Sequence, residues 1–188
     1  MNSNKKIAVL ASGQGSNFES LAQNFPNSIC ALICNVEGAQ VLELAKKYEV
    51  PSFLIPHKNF KTRAEHEKEI IAVLSQFKEL KLIVLAGYMR VLTKTFFLEY
   101  SNSMPKIINL HPAHLEQYKG AHAYEYAVAN KYPRWGLSIH EVTEELDSGQ
   151  LLNSTEFTIY PQESAHELKN RIKYLEHKLL VETIKNIL

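Results

Sequence analysis

KKIAVLASGQGSNFESLAQNF, residues 5–25, changes its periodicity at its centre. KKIAVLAS is apolar at consecutive positions over about five residues, which marks a strand buried on both faces rather than one. GQGSN supplies glycines and an Asn for a turn, and an amphipathic helix follows from about Phe18 to Phe25. A doubly buried strand that hands over to a helix is the opening unit of a parallel sheet covered by helices.

The unit then recurs. SICALICN is a second strand, AQVLELAKKYEV a helix and SFLIP a third strand. TRAEHEKEIIAVLSQF places Ile70, Ile71, Val73 and Leu74 on a helical face, KLIVLAG is the fourth strand, and TKTFFLEY is a short helix before the strand KIINL. This order predicts a doubly wound, Rossmann-like sheet with right-handed crossovers. After Gly120 the pattern changes: a helix from about His122 to Asn130 leads to RWGLSIHEV and QLLNSTEFTI. These two strands are joined by TEELDSG, too short for a crossover helix, so they pair antiparallel. The expected fold is three-layer α/β/α with a mixed, mostly parallel sheet of about seven strands, one of them antiparallel. SAHELKNRIKYLEHKLLVETIKNIL closes it as one long amphipathic helix. No repeat, low-complexity tract or linker divides residues 1–188, so a single domain is expected.

The 188 residues are 45% hydrophobic and 22% charged, enough for a sizeable core. A net charge of +1 leaves no excess for gripping nucleic acid or an anionic membrane, so neither is an expected partner. Cys30 and Cys34 are the only cysteines and lie in an apolar run, which reads as two buried thiols in a reducing compartment. The N-terminus carries too few apolar residues for a signal-peptide core, and no run approaches the roughly 20 apolar residues of a membrane span. A cytoplasmic protein, monomer or homodimer, is expected.

In an open α/β sheet, ligands collect beyond the carboxyl ends of the strands. ASGQGSN, AGYMR and NLHPAH fall at such ends, and EELDSG lies in the later hairpin. GQGSN could hold a phosphate on its backbone N–H groups, Ser16 and Asn17; a tight turn with a helix cap is the plain alternative. It matches neither a dinucleotide fingerprint nor a P-loop. Asn109 and His111 are two apart and so share a face of their strand, where an amide donor beside an imidazole suits acyl-type transfer. A turn-capping Asn and a satisfied His are the alternatives. No GxSxG is present and neither Cys lies in a nucleophile's setting, so direct transfer between two substrates fits better than a covalent intermediate. Asp147 is the best remaining carboxylate, with a simple DSG turn as its default. His114, His122 and His140 lack the spacing of a zinc site, and no metal is expected. Lys5, Lys6 and KNFKTR read as solvated ends and a loop, from which Arg63 could reach an acidic tail on a ligand.

SGQGSN after a strand, LAGYMR, NLHPAHL and SIHEVTEELDSG, in this order and at these separations, resemble the small, folate-dependent phosphoribosylglycinamide formyltransferases over roughly residues 6 to 180. The resemblance implies transfer of the formyl group of 10-formyltetrahydrofolate, the co-substrate, to the amine of glycinamide ribonucleotide, in de novo purine synthesis. It implies direct attack through a tetrahedral intermediate, without a metal. By the same match Asn109 and a protonated His111 hold the oxyanion. Asp147 keeps His111 charged, raising its pKa, and helps remove the amine's proton through water. Gly15, Ser16, Asn17 and Glu176 would bind the ribonucleotide, and Met89, Arg90, Val91 and Leu92, with Asn109, would line the pterin pocket opposite Thr143, Glu144, Glu145, Leu146 and Asp147. Arg63 matches an arginine near the folate's glutamate tail. The N-terminal half is thus implied to hold the ribonucleotide phosphate and the C-terminal half the folate.

One segment departs from the family pattern. Where relatives show HPSLLPxxxG, this chain has HPAHLEQYKG, with Ala113, His114 and Glu116 at altered positions. The lost proline removes a fixed φ, and a more mobile or differently shaped loop is expected between Ala113 and Gly120. Formyltetrahydrofolate hydrolases, which add an N-terminal domain, and methionyl-tRNA or amino-sugar formyltransferases, which add a C-terminal one, share the core. With a first strand near residue 6 and a last residue at 188, neither addition is expected. An inactive folate-binding module is the alternative from another class.

Overall fold

Ile7, Ala8, Val9, Leu10 and Ala11 are each fully buried in the computed structural model, as a strand covered on both faces requires. They form β1 (Lys6–Ala11); Lys5 lies outside the described residues, which are 6–100 and 105–188. The chain divides into two compact units, Met1–Ile108 and Asn109–Leu188.

In the first unit β1 pairs in parallel with β2 (Ile29–Cys34) on one side and β4 (Leu80–Leu85) on the other, and β3 (Ser52–Leu54) pairs in parallel with β2. The chain steps outward from β1 to β3 and then returns to β4, so the topology reverses between β1 and β4. Helix α1 (Ser16–Asn24) packs on α2 (Val41–Lys47), and α3 (Arg63–Leu74) on α4 (Lys94–Glu99). Burial on every residue holds for β2 but fails at β3, an edge strand whose Leu54 is exposed. Cys30 and Cys34 are buried, and burial pushes the Cys30 thiol up to about 11 and Cys34 above its ordinary value.

Two expectations change here. Helix α1 begins at Ser16 rather than near Phe18, so Ser16 and Asn17 belong to its first turn. On α3, Ile70 and Leu74 are buried but Ile71 and Val73 are partly exposed; His66 and Glu67 complete the buried face. Steps of four residues align 66, 70 and 74 along one stripe, and that stripe starts polar. A capping box starts the helix: Thr62 Oγ1 accepts the Glu65 N–H (3.2 Å), and the Glu65 carboxylate accepts the Thr62 N–H (3.3 Å). Such a cap stabilises by about 1 kcal/mol.

β5 (Lys106–His111) spans the division between the units. The second unit continues with α5 (Ala123–Ala129), the antiparallel pair β6 (Arg134–Glu141) and β7 (Leu151–Thr158), and α6 (Ala165–Ile187), capped by a Ser164–Glu167 box. Along β6, Trp135, Leu137 and Ile139 alternate with Gly136, Ser138 and His140, and α6 packs against α5, β6 and β7. The strand order is β3-β2-β1-β4-β5-β6-β7, a seven-stranded mixed sheet in which β6 and β7 pair antiparallel, in the α/β class read from the sequence. No helix among the described residues is long and apolar enough to cross a membrane.

Candidate active site

In the first unit polar groups gather where β1 and β4 diverge. Ser12, at the end of β1, accepts the Met89 N–H on its Oγ (2.8 Å) and donates to Asn35 Oδ1 (2.6 Å); its own N–H reaches the Gly87 carbonyl (3.1 Å). Gly15 follows with φ 82°, and a Cβ there would lie 2.6 Å from Val41 Cγ2 and 2.9 Å from Val41 Cα. Only glycine fits a left-handed turn so close to α2. The turn aims the first-turn amides of α1, with half-buried Ser16 and Asn17, out of the helix N-terminus, where the dipole favours an anion.

The segment after β4 alternates: Tyr88 and Leu92 are buried, whereas Met89 is 67% and Val91 40% exposed. Met89 has spent its N–H on Ser12, so its side chain is what it presents outward. Arg90 is half-buried, and Arg63 is exposed at the first position of α3.

In the second unit, β5 places half-buried Asn109 and buried His111 on one face, as period two requires. His111 Nδ1 lies 3.5 Å from Asp147 Oδ2, and its Nε2 meets the Tyr118 carbonyl at 2.8 Å. Since a carbonyl only accepts, Nε2 carries a proton. Asp147 is 7% exposed and has φ 45°, a left-handed conformation that Asp tolerates, and its Oδ2 accepts the Gly120 N–H (2.7 Å). His140 joins these groups: its Nδ1–H donates to the Glu141 carbonyl (2.8 Å), and its Nε2 faces Asn109 Nδ2 at 3.3 Å and Asp147 Oδ1 at 3.5 Å. The amide asks Nε2 for a lone pair and the carboxylate asks it for a proton, so His140 ties the two together whichever it serves.

The electrostatics correct one expectation. Burial pushes the His111 pKa below its ordinary value, and the nearby Asp147 charge and the Tyr118 carbonyl offset this only in part, so the net shift is down and not up. Asp147 is opposed by its own burial, yet the His140 hydrogen bond, the Gly120 N–H and the charges of His111 and His140 hold it below the usual carboxylate range. At neutral pH the pair is therefore a carboxylate beside a neutral imidazole.

Glu176, on α6, is 9% exposed and accepts the Tyr124 hydroxyl at 2.6 Å; burial, then Glu176, drives that phenol's pKa up. In the hairpin loop, Glu144, Glu145 and Leu146 are exposed, and Thr143 Oγ1 donates to the Glu145 carbonyl (3.3 Å). The altered HPAHLEQYKG segment has a defined path. Ala113 is fully buried, the Trp135 indole N–H donates to the Pro112 carbonyl (2.7 Å), and the Tyr118 ring stacks on Tyr126 at 4.7 Å. His114 lies against Gly136, where a Cβ would come within 2.4 Å of its ring unless the ring moved, with its Nε2 3.3 Å from Glu156. No group of three or more His, Cys, Asp or Glu among the described residues is placed to hold a metal ion.

A family model described as formyl transferase matches residues 5–184. The chain belongs to the formyl transferase family. It is 36% identical to a phosphoribosylglycinamide formyltransferase of Dictyostelium discoideum, over 95% of this chain and 96% of that one. It is 35% identical to the enzyme of the same name from Bacillus subtilis, over 98% and 95%. The crystal structure of phosphoribosylglycinamide formyltransferase from Streptococcus pneumoniae superposes with a TM-score of 0.89 at 33% identity, covering 97% of this chain and 98% of that one. In this formyl transferase, sequence reasoning missed two members of the site. From the sequence His140 reads only as a possible metal ligand, although the strand alternation of SIHEV puts it on one face with Ser138. The Tyr118 carbonyl is a backbone group, and no residue pattern marks it.

Proposed function

We propose that this chain moves the formyl group of 10-formyltetrahydrofolate to the amine of glycinamide ribonucleotide, yielding formylglycinamide ribonucleotide and tetrahydrofolate in purine biosynthesis. The observation that carries this reading is the Asn109–His140–Asp147–His111 network at the end of β5, in a chain whose relatives bear the transferase's name along their full length.

The amine nitrogen attacks the formyl carbon and the carbonyl electron pair moves onto oxygen. Asn109 Nδ2–H stabilises that oxyanion, held in place by His140. The proton released by the amine passes through water to the Asp147–His111 pair; His111, neutral at rest, becomes an imidazolium held between Asp147 and the Tyr118 carbonyl. Collapse of the intermediate expels the folate nitrogen, which takes the proton back, so atoms and charge balance.

The binding roles follow the same reading. Gly15, Ser16 and Asn17 take the ribonucleotide phosphate and Glu176 its hydroxyls. Met89 to Leu92, with Asn109 and Thr143 to Asp147, take the pterin, and Arg63 the glutamate tail. All of this is work for one formyltransferase domain.

The reaction is tested by incubating purified protein, EDTA and no added metal with both substrates and following formylglycinamide ribonucleotide. Product is expected; formate release without the ribonucleotide, or folate binding without turnover, would overturn the proposal. The proton role makes a separate prediction. The base form of His111 grows with pH through a pKa depressed below 6.5, so kcat should climb from acid with a midpoint below that value and then level off. An obligatory imidazolium would instead make kcat fall through the same region. Single-turnover rates across pH decide between them.

A further inference from the structure

We infer that Glu67 is a positioning residue that, opposite Ser12, clamps the segment from Met89 to Thr93 and thereby sets affinity for the folate. The inference rests on the proposed function, which gives this segment to the pterin.

Glu67 sits on α3 and is 3% exposed. Both carboxylate oxygens are spent on a single residue: Oε1 accepts the Thr93 N–H at 2.8 Å, and Oε2 accepts the Thr93 hydroxyl in a short bond. Thr93 is the residue that opens α4, where a threonine hydroxyl ordinarily caps the helix and contributes about 1 kcal/mol. Here it makes no such cap, because the hydroxyl is turned to Glu67. A local rule is broken in favour of a tie across 26 residues, and a carboxylate is buried to make that tie. An apolar side chain would fill the same stripe beside Ile70 without the desolvation cost, so stability alone does not account for Glu67.

The other end of the segment is fixed in the same manner. Ser12 Oγ accepts the Met89 N–H, and Asn35 Oδ1 accepts the Ser12 hydroxyl behind it. Leu92, 2% exposed, anchors the interior. What remains between two buried polar ties is the backbone of residues 90 to 92, held at a set path for a ligand's ring edge. Pre-organisation of this kind appears in affinity rather than in chemistry.

The test measures tetrahydrofolate binding anaerobically by titration calorimetry, and KM for each substrate, in wild type, Glu67→Ala, Glu67→Gln and Thr93→Val. Losing charge-assisted bonds of this type is expected to weaken tetrahydrofolate binding, and to raise KM for 10-formyltetrahydrofolate, about tenfold in Glu67→Ala. Glu67→Gln, which keeps one acceptor, should recover most of that loss. KM for the ribonucleotide and kcat at saturation should stay within about twofold. If Glu67→Ala does not fold, Thr93→Val carries the same expectation. Unchanged tetrahydrofolate affinity in the variants, or both KM values rising together with a lowered Tm, would overturn the clamp alone. A wild type that binds no tetrahydrofolate would overturn the proposed function and this inference with it.

Discussion

Asp147→Asn is expected to lower kcat on the order of 100-fold or more while the protein still folds. The substitution keeps the shape of a side chain that is 7% exposed and removes its charge. Three contacts then change together. The Gly120 N–H loses its charged acceptor, His111 Nδ1 loses the anion 3.5 Å away, and His140 Nε2 loses its partner at Oδ1. Burial already pushes His111 down and Asp147 is the chief force against it, so without that charge the imidazolium formed during proton transfer has far less support. Asn109→Ala should cost a similar factor by removing the oxyanion donor. Because both act on one intermediate, the double variant should lose less than the product of the single losses. KM for glycinamide ribonucleotide should move little, KM for 10-formyltetrahydrofolate should rise because Asn109 and Asp147 also line the proposed pterin site, and the acid limb of Asp147→Asn should shift to lower pH. A variant within threefold of wild type would refute the role. Asp147 links stability to pH in the same sense as turnover, both falling toward acid. A carboxylate held below its ordinary value stabilises the fold above that value, and this contribution is lost as pH falls through the folded pKa.

What the chain reveals by itself divides along physical lines. Consecutive apolar residues at 7–11 and 29–34 could only be strands buried on both faces, and the short TEELDSG link could only join an antiparallel pair, so element order and sheet type were legible. The pairing of Asn109 with His111 followed from period two alone. Groups brought together across the sequence were not legible: His140 meets Asn109 across 31 residues, and Glu67 meets Thr93 across 26. The direction of the His111 shift failed for a related reason. A neighbouring carboxylate can be inferred from a motif, but the depth of burial that outweighs it is a property of the whole fold. The face of α3 misled because periodicity weighs apolar residues, and half of that face is polar and buried.

Gly149→Ala should damage the protein more broadly than any change to the reacting groups. Gly149 stands directly over the Glu141 carbonyl. A Cβ there would overlap the carbonyl oxygen, lie 2.7 Å from the carbonyl carbon and 3.3 Å from Thr143 Cγ2. Nothing flexible can step aside, since the first two atoms are backbone of β6 and Glu141 is held in the hairpin by its own N–H to the Gln150 carbonyl at 2.9 Å. The strands must part at that end, at a cost of about 1–3 kcal/mol or more, which for a chain of this size is a fall in Tm of roughly 2–12 °C. Activity should fall further than stability suggests, because the displaced turn carries Asp147, whose left-handed φ of 45° depends on the path of the same loop. A Cβ at Gly13 meets nothing within 4 Å, so Gly13→Ala should leave Tm unchanged and serves as the control. Gly136→Ala is intermediate: the atoms it meets belong to the His114 side chain, which can rotate away, so its cost should be smaller than that of Gly149→Ala. Thermal unfolding and turnover measured on the three variants separate backbone collision from side-chain crowding, and a Gly149→Ala protein with wild-type Tm and kcat would show that the hairpin does not hold Asp147 in place.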